Sequence, residues 1–109
     1  MKSWRTWTPA CGDLVWVRDA AQRRRPALVL SPAAYGARVG LALVCPIVSE
    51  PKGYPFEVAL PPGLAVCGVV VADRVASIDW RACGARLAGT VTDEVVAAVR
   101  ERLLPLLAE

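Results

Sequence analysis

No histidine occurs anywhere in this chain, so any acid–base chemistry must run without the commonest side chain that titrates near neutrality. Cysteine is present but never paired: Cys11, Cys45, Cys67 and Cys83 are widely spaced, with no CxxC and no histidine to complete a mixed zinc set. They read as small buried hydrophobes, since a four-cysteine metal site usually shows paired close spacings. No apolar run approaches the roughly 18 to 20 residues that cross a bilayer, and no membrane contact is expected. The opening MKSWRTWTPACGD is interrupted by Arg5, Trp7 and Pro9 before a signal-like segment develops, which points to the cytoplasm. There is no P-loop, GxGxxG, GxSxG or HExxH, so none of the corresponding enzyme classes is indicated. Lysine is scarce as well: Lys2 and Lys52 are the only two among thirteen cations, the rest being arginine.

That bias suits an anionic partner, because the planar guanidinium fork matches phosphate and carboxylate. A GC-rich coding sequence would enrich arginine and alanine equally well, and the net charge is only +3. Apolar residues make up 55% and charged residues 21% of the 109, a balance that argues for one folded domain over residues 1–109 rather than a disordered chain.

GDLVWVR (12–18) is rich in β-formers and enters from a glycine turn, so it predicts a first strand. PALVLS (26–31) predicts a second, with Pro26 confined to its first position, where the missing N–H does least harm. GLALVCPIVS (40–49) predicts a long third strand bent or bulged at Pro46. FEVAL (56–60), VCGVVVAD (66–73), a short strand at 77–80 and ARLAGTV (85–91) follow, separated by EPKGYP, PPG and other turn signals. A loop with at most one helical turn is expected over 31–40. Thr92-Asp93-Glu94 offers an N-cap with acidic residues in the first turn. Val95, Val96, Val99, Leu103 and Leu106 or Leu107 then recur at helical spacing, with Arg100, Glu101 and Arg102 toward water. Pro105 is expected to kink or end this helix early. The fold class is mainly β (α+β): a small curled antiparallel barrel with a C-terminal helix.

The polar residues that could carry chemistry gather at strand ends and turns: Arg23, Arg24 and Arg25, Ser49 to Lys52, and Asp73-Arg74. Together with GDLVWV, RRPALVLSPAAY, GLALVCPIVS, KGYPFEVALP and GVVVADRVASIDWRACGA, they resemble the MazF/PemK toxins of bacterial type II toxin–antitoxin pairs, from about Gly12 to the last helix. The resemblance implies an SH3-like barrel acting as a homodimer. It also implies metal-independent cleavage of single-stranded RNA at short sequences, with no cofactor: the 2′-hydroxyl attacks the adjacent phosphate, giving a 2′,3′-cyclic phosphate and a 5′-hydroxyl. The partner it implies is an antitoxin whose acidic, extended tail lies across the RNA groove.

By the same resemblance the catalytic arginine, which precedes the proline of the second strand, falls on Arg25. A guanidinium stabilises a phosphorane more readily than it accepts a proton. The second catalytic position falls on Val48, where relatives carry threonine. Ser49 is the nearest hydroxyl, although on a regular strand it would face the other side. Arg23, Arg24, Lys52 and Arg74 are the candidate RNA contacts, and Arg74 stands where relatives often read a base with glutamine. The connector Asp19–Arg25 is shorter than the relatives' gating loop. Among the tryptophans, Trp16 is assigned to the core, while Trp4 and Trp7 are free to pack or to stack on bases. Asp73 and Asp79 are expected to bond turn amides, with Arg81 pairing one of them. Two alternatives remain open at this point: a catalytically weakened member that still binds RNA or antitoxin, and a gyrase poison. The chain's Leu-Leu-Ala-Glu ending lacks the Trp-Gly-Ile of CcdB toxins.

Overall fold

The computed structural model describes residues 7–108, and Trp4 falls outside them. Seven strands form one curled antiparallel sheet: β1 (Asp13–Arg18), β2 (Arg24–Val29), β3 (Leu41–Val48), β4 (Glu57–Ala59), β5 (Val69–Val71), β6 (Ala76–Asp79) and β7 (Arg86–Thr90). The hydrogen-bonded path is β4-β5-β3-β2-β1-β7, with β6 also on β3. Two helices complete the fold, α1 (Ala33–Val39) between β2 and β3 and α2 (Asp93–Ala108) at the end, with a 3₁₀ turn over Ala72–Arg74. The sheet buries side chains on both faces, so strands such as LVWV and VVV are apolar at nearly every position. Leu14, Leu28, Cys45, Ile47, Val70 and Val99 form one cluster, and Val15, Val29, Ala42, Val44 and Trp80 form the other.

Pro26 does not open β2. The strand begins at Arg24, and Pro26 pairs with Trp16 in its interior. Hydrogen-bonded pairs alternate along an antiparallel ladder, and Asp19 N–H donates to Arg23 C=O at 2.9 Å. The alternation makes Trp16↔Pro26 a pair without ladder bonds, so β1 asks nothing of the proline nitrogen. On the other side Leu30 N–H donates to Leu43 C=O at 2.8 Å, which by the same alternation makes Pro26 and Ile47 the next pair due to bond. Pro26 has no N–H to give. The β2–β3 ladder accordingly ends at Ala27↔Pro46.

No bulge forms at Pro46, because the β2–β3 register runs without a break from Val29↔Val44 to Ala27↔Pro46. Instead, β3 changes neighbours there: Leu41–Val44 pair with β6, and Ile47–Val48 pair with β5. The missing donor of Pro46 falls in the gap between the two partners. The register shift in the sheet lies in β1, between Leu14 and Val15 against β7.

Residues 33–39 form two turns of helix rather than a loop. Gly36 is buried in α1, its carbonyl accepts Trp80 Nε1–H at 3.1 Å, and a Cβ there would lie 3.0 Å from Thr8 Cγ2. Trp7 meets Trp80 edge to face at 5.9 Å, so packing accounts for it. Arg81 lies over the Trp80 ring at 4.4 Å instead of pairing an aspartate. Asp79 does bond a turn amide, accepting Ala82 N–H at 3.0 Å. Asp73 is exposed in the 3₁₀ turn.

Helix α2 buries Val96, Val99 and Leu103. It continues through Pro105 to Ala108, because the bond that proline forfeits lies in the last turn, where water solvates the freed carbonyl. Leu106 and Leu107 are exposed, so the apolar stripe stops at Leu103. Arg102 does not point freely to water: its Nε–H donates to Pro55 C=O at 3.1 Å, tying the helix to the turn before β4. Of the cysteines only Cys45 is fully buried, while Cys11 and Cys67 are exposed. Burial, with a contribution from the Asp73 charge, raises the Cys45 thiol to about 11, so it stays protonated and inert.

Candidate active site

The parting of β2 and β3 leaves a wedge, and the wedge is a cavity of about 430 Å³. Trp16, Arg25 and Pro26 line its β1–β2 side, Ile47, Val48 and Ser49 line its β3 side, and Ala65, Val66 and Cys67 close it from the loop before β5. Two register steps beyond Ala27↔Pro46, Arg25 stands opposite Val48, with an unbonded gap between. The Arg25 side chain is 57% exposed, so a ligand can reach it without displacing packed side chains.

A second cavity of about 250 Å³ shares the Val48–Ser49 wall. Its polar lining is Ser49, Glu50, Lys52, Tyr54, Glu57 and Arg74, with Val71 at the base. Ser49 therefore borders both cavities. It reaches them because β3 ends at Val48 and the chain bends over Ser49-Glu50, so strand alternation no longer applies to it. The structure thus brings Arg25 and Ser49 to one cavity, and Ser49, Lys52 and Arg74 to the other. Arg23 and Arg24 line neither, although Arg24 opens β2 directly beside Arg25.

Arg25 is held from behind by the β1–β2 turn. Its Nε–H donates to Asp19 Oδ2 at 3.0 Å, the ion pair found among the described residues. Asp19 Oδ1 accepts Ala21 N–H and Arg23 N–H, both at 2.9 Å. The Arg23 amide foremost, then the Arg25 guanidinium and last the Ala21 amide hold the Asp19 carboxyl below its ordinary value. With Gln22 left-handed at φ 63, the connector is a three-residue hairpin loop, the kind that places one αL residue before the returning strand. The Lys52 turn is organised by Glu57, whose carboxylate accepts Lys52 N–H at 3.0 Å and Gly53 N–H at 3.1 Å.

Gly68 fixes the wall between the cavities. At φ 129 its missing Cβ would fall 2.1 Å from the Val48 carbonyl oxygen, so only glycine lets the loop before β5 close against β3.

Sequence reasoning did not find Cys67 or Tyr54 at this site, and assigned Trp16 to the core alone. Trp16 is half-buried: it packs against the first cluster and also lines the larger cavity. The alternation along β1 could have flagged it, since Trp16 pairs with the residue next to Arg25. Nothing local marks Cys67, whose place depends on where the 61–68 loop lands.

Residues 10–107 match the family described as PemK-like, MazF-like toxin of type II toxin–antitoxin system. The chain is 42% identical over 103 residues to the endoribonuclease toxin MazF of Escherichia coli K12, covering 89% of this chain and 92% of that protein. Its fold is similar to that in a crystal structure of MazE–MazF from Deinococcus radiodurans, at 50% identity and a TM-score of 0.88 over 93% of this chain and 96% of that one. A mycobacterial endoribonuclease in complex with its cognate antitoxin, at 21% identity and a TM-score of 0.80, shares the fold.

Proposed function

This chain belongs to the PemK-like, MazF-like toxins of type II toxin–antitoxin systems, and on that premise we propose how, as a MazF-type endoribonuclease, it cuts RNA. The substrate is single-stranded RNA, cleaved at short sequences. The 2′-oxygen attacks the adjacent phosphorus and the bond to the 5′-oxygen breaks, leaving a 2′,3′-cyclic phosphate and a 5′-hydroxyl. Charge builds on the non-bridging oxygens of the phosphorane. The terminal N–H groups of Arg25 meet that charge in the larger cavity, and this is the largest contribution the site can make. The proton lost at the 2′-oxygen is regained at the 5′-oxygen. With no histidine in the chain, water at the open mouth carries it. No metal enters the reaction.

Ser49, on the wall between the cavities, donates to the phosphate or to the 2′-oxygen in place of the threonine that Val48 supplants. Lys52 and Arg74 hold the neighbouring nucleotide in the smaller cavity, where Arg74 favours guanine or phosphate. Arg23 and Arg24 add to the field that attracts RNA, outside the cavities. The functional unit is a cytoplasmic homodimer, and the partner antitoxin blocks it with an acidic tail laid along these same cations. The juxtaposition of Arg25 and Ser49 across one cavity carries this reading.

The test is purified protein incubated with a long single-stranded RNA in EDTA, with mapping of the new ends. Cyclic-phosphate and 5′-hydroxyl ends from the wild type, and none from Arg25→Ala at unchanged fold and dimer, are expected. Full cleavage by Arg25→Ala would falsify the assignment. Val48 favours a second reading, a member that binds RNA or antitoxin and cuts slowly; retained RNA binding with no cyclic-phosphate ends selects it.

A further inference from the structure

Arg25 sits on a strand end and is largely exposed, and an arginine side chain in that setting ordinarily samples many rotamers. Here one edge of its guanidinium is engaged. The Nε–H donates to Asp19 Oδ2 at 3.0 Å, while the other carboxylate oxygen is bound by the Ala21 and Arg23 amides at 2.9 Å each. Asp19 N–H donates to Arg23 C=O and Gln22 N–H donates to Asp19 C=O, both at 2.9 Å, so the carboxylate is fixed to a closed turn rather than to a flexible chain.

We infer that Asp19 is a positioning residue for Arg25: it occupies the Nε edge of the guanidinium and presents the two terminal nitrogens to the cavity. A guanidinium can grip a phosphate side-on, through Nε and one terminal nitrogen, or end-on, through both terminal nitrogens. With Asp19 on Nε the end-on fork remains, pre-oriented before RNA arrives, and orientation set in advance lowers the barrier. The short hairpin therefore contributes directly to the site, through a carboxylate that its own amides hold in place. The inference rests on Arg25 being the phosphate-binding arginine.

Asp19→Asn separates the two duties of this side chain. The amide oxygen still accepts the Ala21 and Arg23 amides, whereas the NH₂ group cannot accept from Arg25 Nε. Cleavage kinetics are measured on a short RNA spanning a site first mapped with long RNA, alongside thermal melting and the ¹⁵N–¹H resonance of Arg25 Nε. The expected result is a kcat lower by roughly 10- to 100-fold, with KM within about twofold, only a slightly lowered melting midpoint and a displaced Nε resonance. If Asn at 19 lowers the midpoint further, the same substitution in a Gln22→Gly background, which relieves the left-handed residue, restores the turn and is assayed instead. Wild-type kcat for Asp19→Asn while Arg25→Ala is inactive overturns the inference and leaves the proposed function standing. A higher kcat also overturns it, since Asp19 would then compete with phosphate for Arg25. Wild-type cleavage by Arg25→Ala removes the proposed function itself, whatever Asp19→Asn does.

Discussion

Two turns flank the site, and each is organised by one carboxylate. In the β1–β2 hairpin, Asp19 binds two backbone amides and also the guanidinium of Arg25. In the KGYP turn, Glu57 binds the Lys52 and Gly53 amides and no cation among the described residues. The same local device thus has opposite consequences for the charge beside it. The first turn fixes its arginine in one orientation, as a group acting on a single phosphate requires. The second fixes the backbone and leaves Lys52 to its own rotamers, which suits holding a strand whose bases and conformation vary. Preorganisation is concentrated where charge would develop, and adaptability where sequence would be accommodated.

The comparison breaks first at Arg25. Its replacement by alanine should lower kcat by at least about 10²- to 10³-fold, the range for removing one preorganised donor to a developing charge, and so abolish detectable cleavage, with fold and RNA binding retained in a single-turnover and binding assay. Gly68→Ala should strike both cavities at once. Its methyl collides with the Val48 carbonyl, and the mutant should lose on the order of 3 kcal/mol in denaturant unfolding, the upper range for overpacking, with strain at positive φ added. Lys52→Ala or Arg74→Ala should act mainly on KM, by roughly 10-fold or less, and each should reduce the salt dependence of RNA binding by about one phosphate contact. Equal losses in kcat at Lys52 and Arg25 would erase the distinction between the turns.

The smallest effect is on acid stability. The folded Asp19 carboxyl lies below its ordinary value, so its contribution is complete above the unfolded pKa of about 3.9 and is lost as pH falls through the folded one. Asp19→Asn should therefore remove a small stabilisation at pH 7, and its difference from the wild type should vanish as pH falls below about 4, which flattens the acid limb of thermal stability.

Much of this arrangement is legible in the residues. The β-branched runs locate β1, β3 and β5, and Val96, Val99 and Leu103 locate the buried stripe of α2. What escaped depended on pairing. Pro26 looks like a strand opener until its place in the ladder shows that β1 asks no donor of it, which lets the strand start at Arg24. Residues 33–39 look like loop because Gly36 weakens a helix, yet Gly36 lies so close to Thr8 and Trp80 that a larger side chain would crowd them. Pro105 looks like a stop, but costs little in a final exposed turn. At the site, Arg25, Ser49, Lys52 and Arg74 are visible as polar residues at strand ends and turns. Their division between two cavities is not, because it follows from β3 ending at Val48 and from the landing point of residues 61–68. Neither the partnership of Asp19 with Arg25 nor the presence of Cys67 has a signature in local spacing.

The wedge between β2 and β3 arises where Pro26 lacks a donor, so its existence is a property of the main chain there, independent of the other side chains that line it. Val48, Glu50 and Arg74 can then be randomised together without the cavity zipping shut. A library at those three positions, built on unaltered Arg25, Pro26, Pro46, Ser49 and Gly68, is a direct route to variants with new cutting preferences, and it indicates how one scaffold can diversify its targets while keeping a single point of attack.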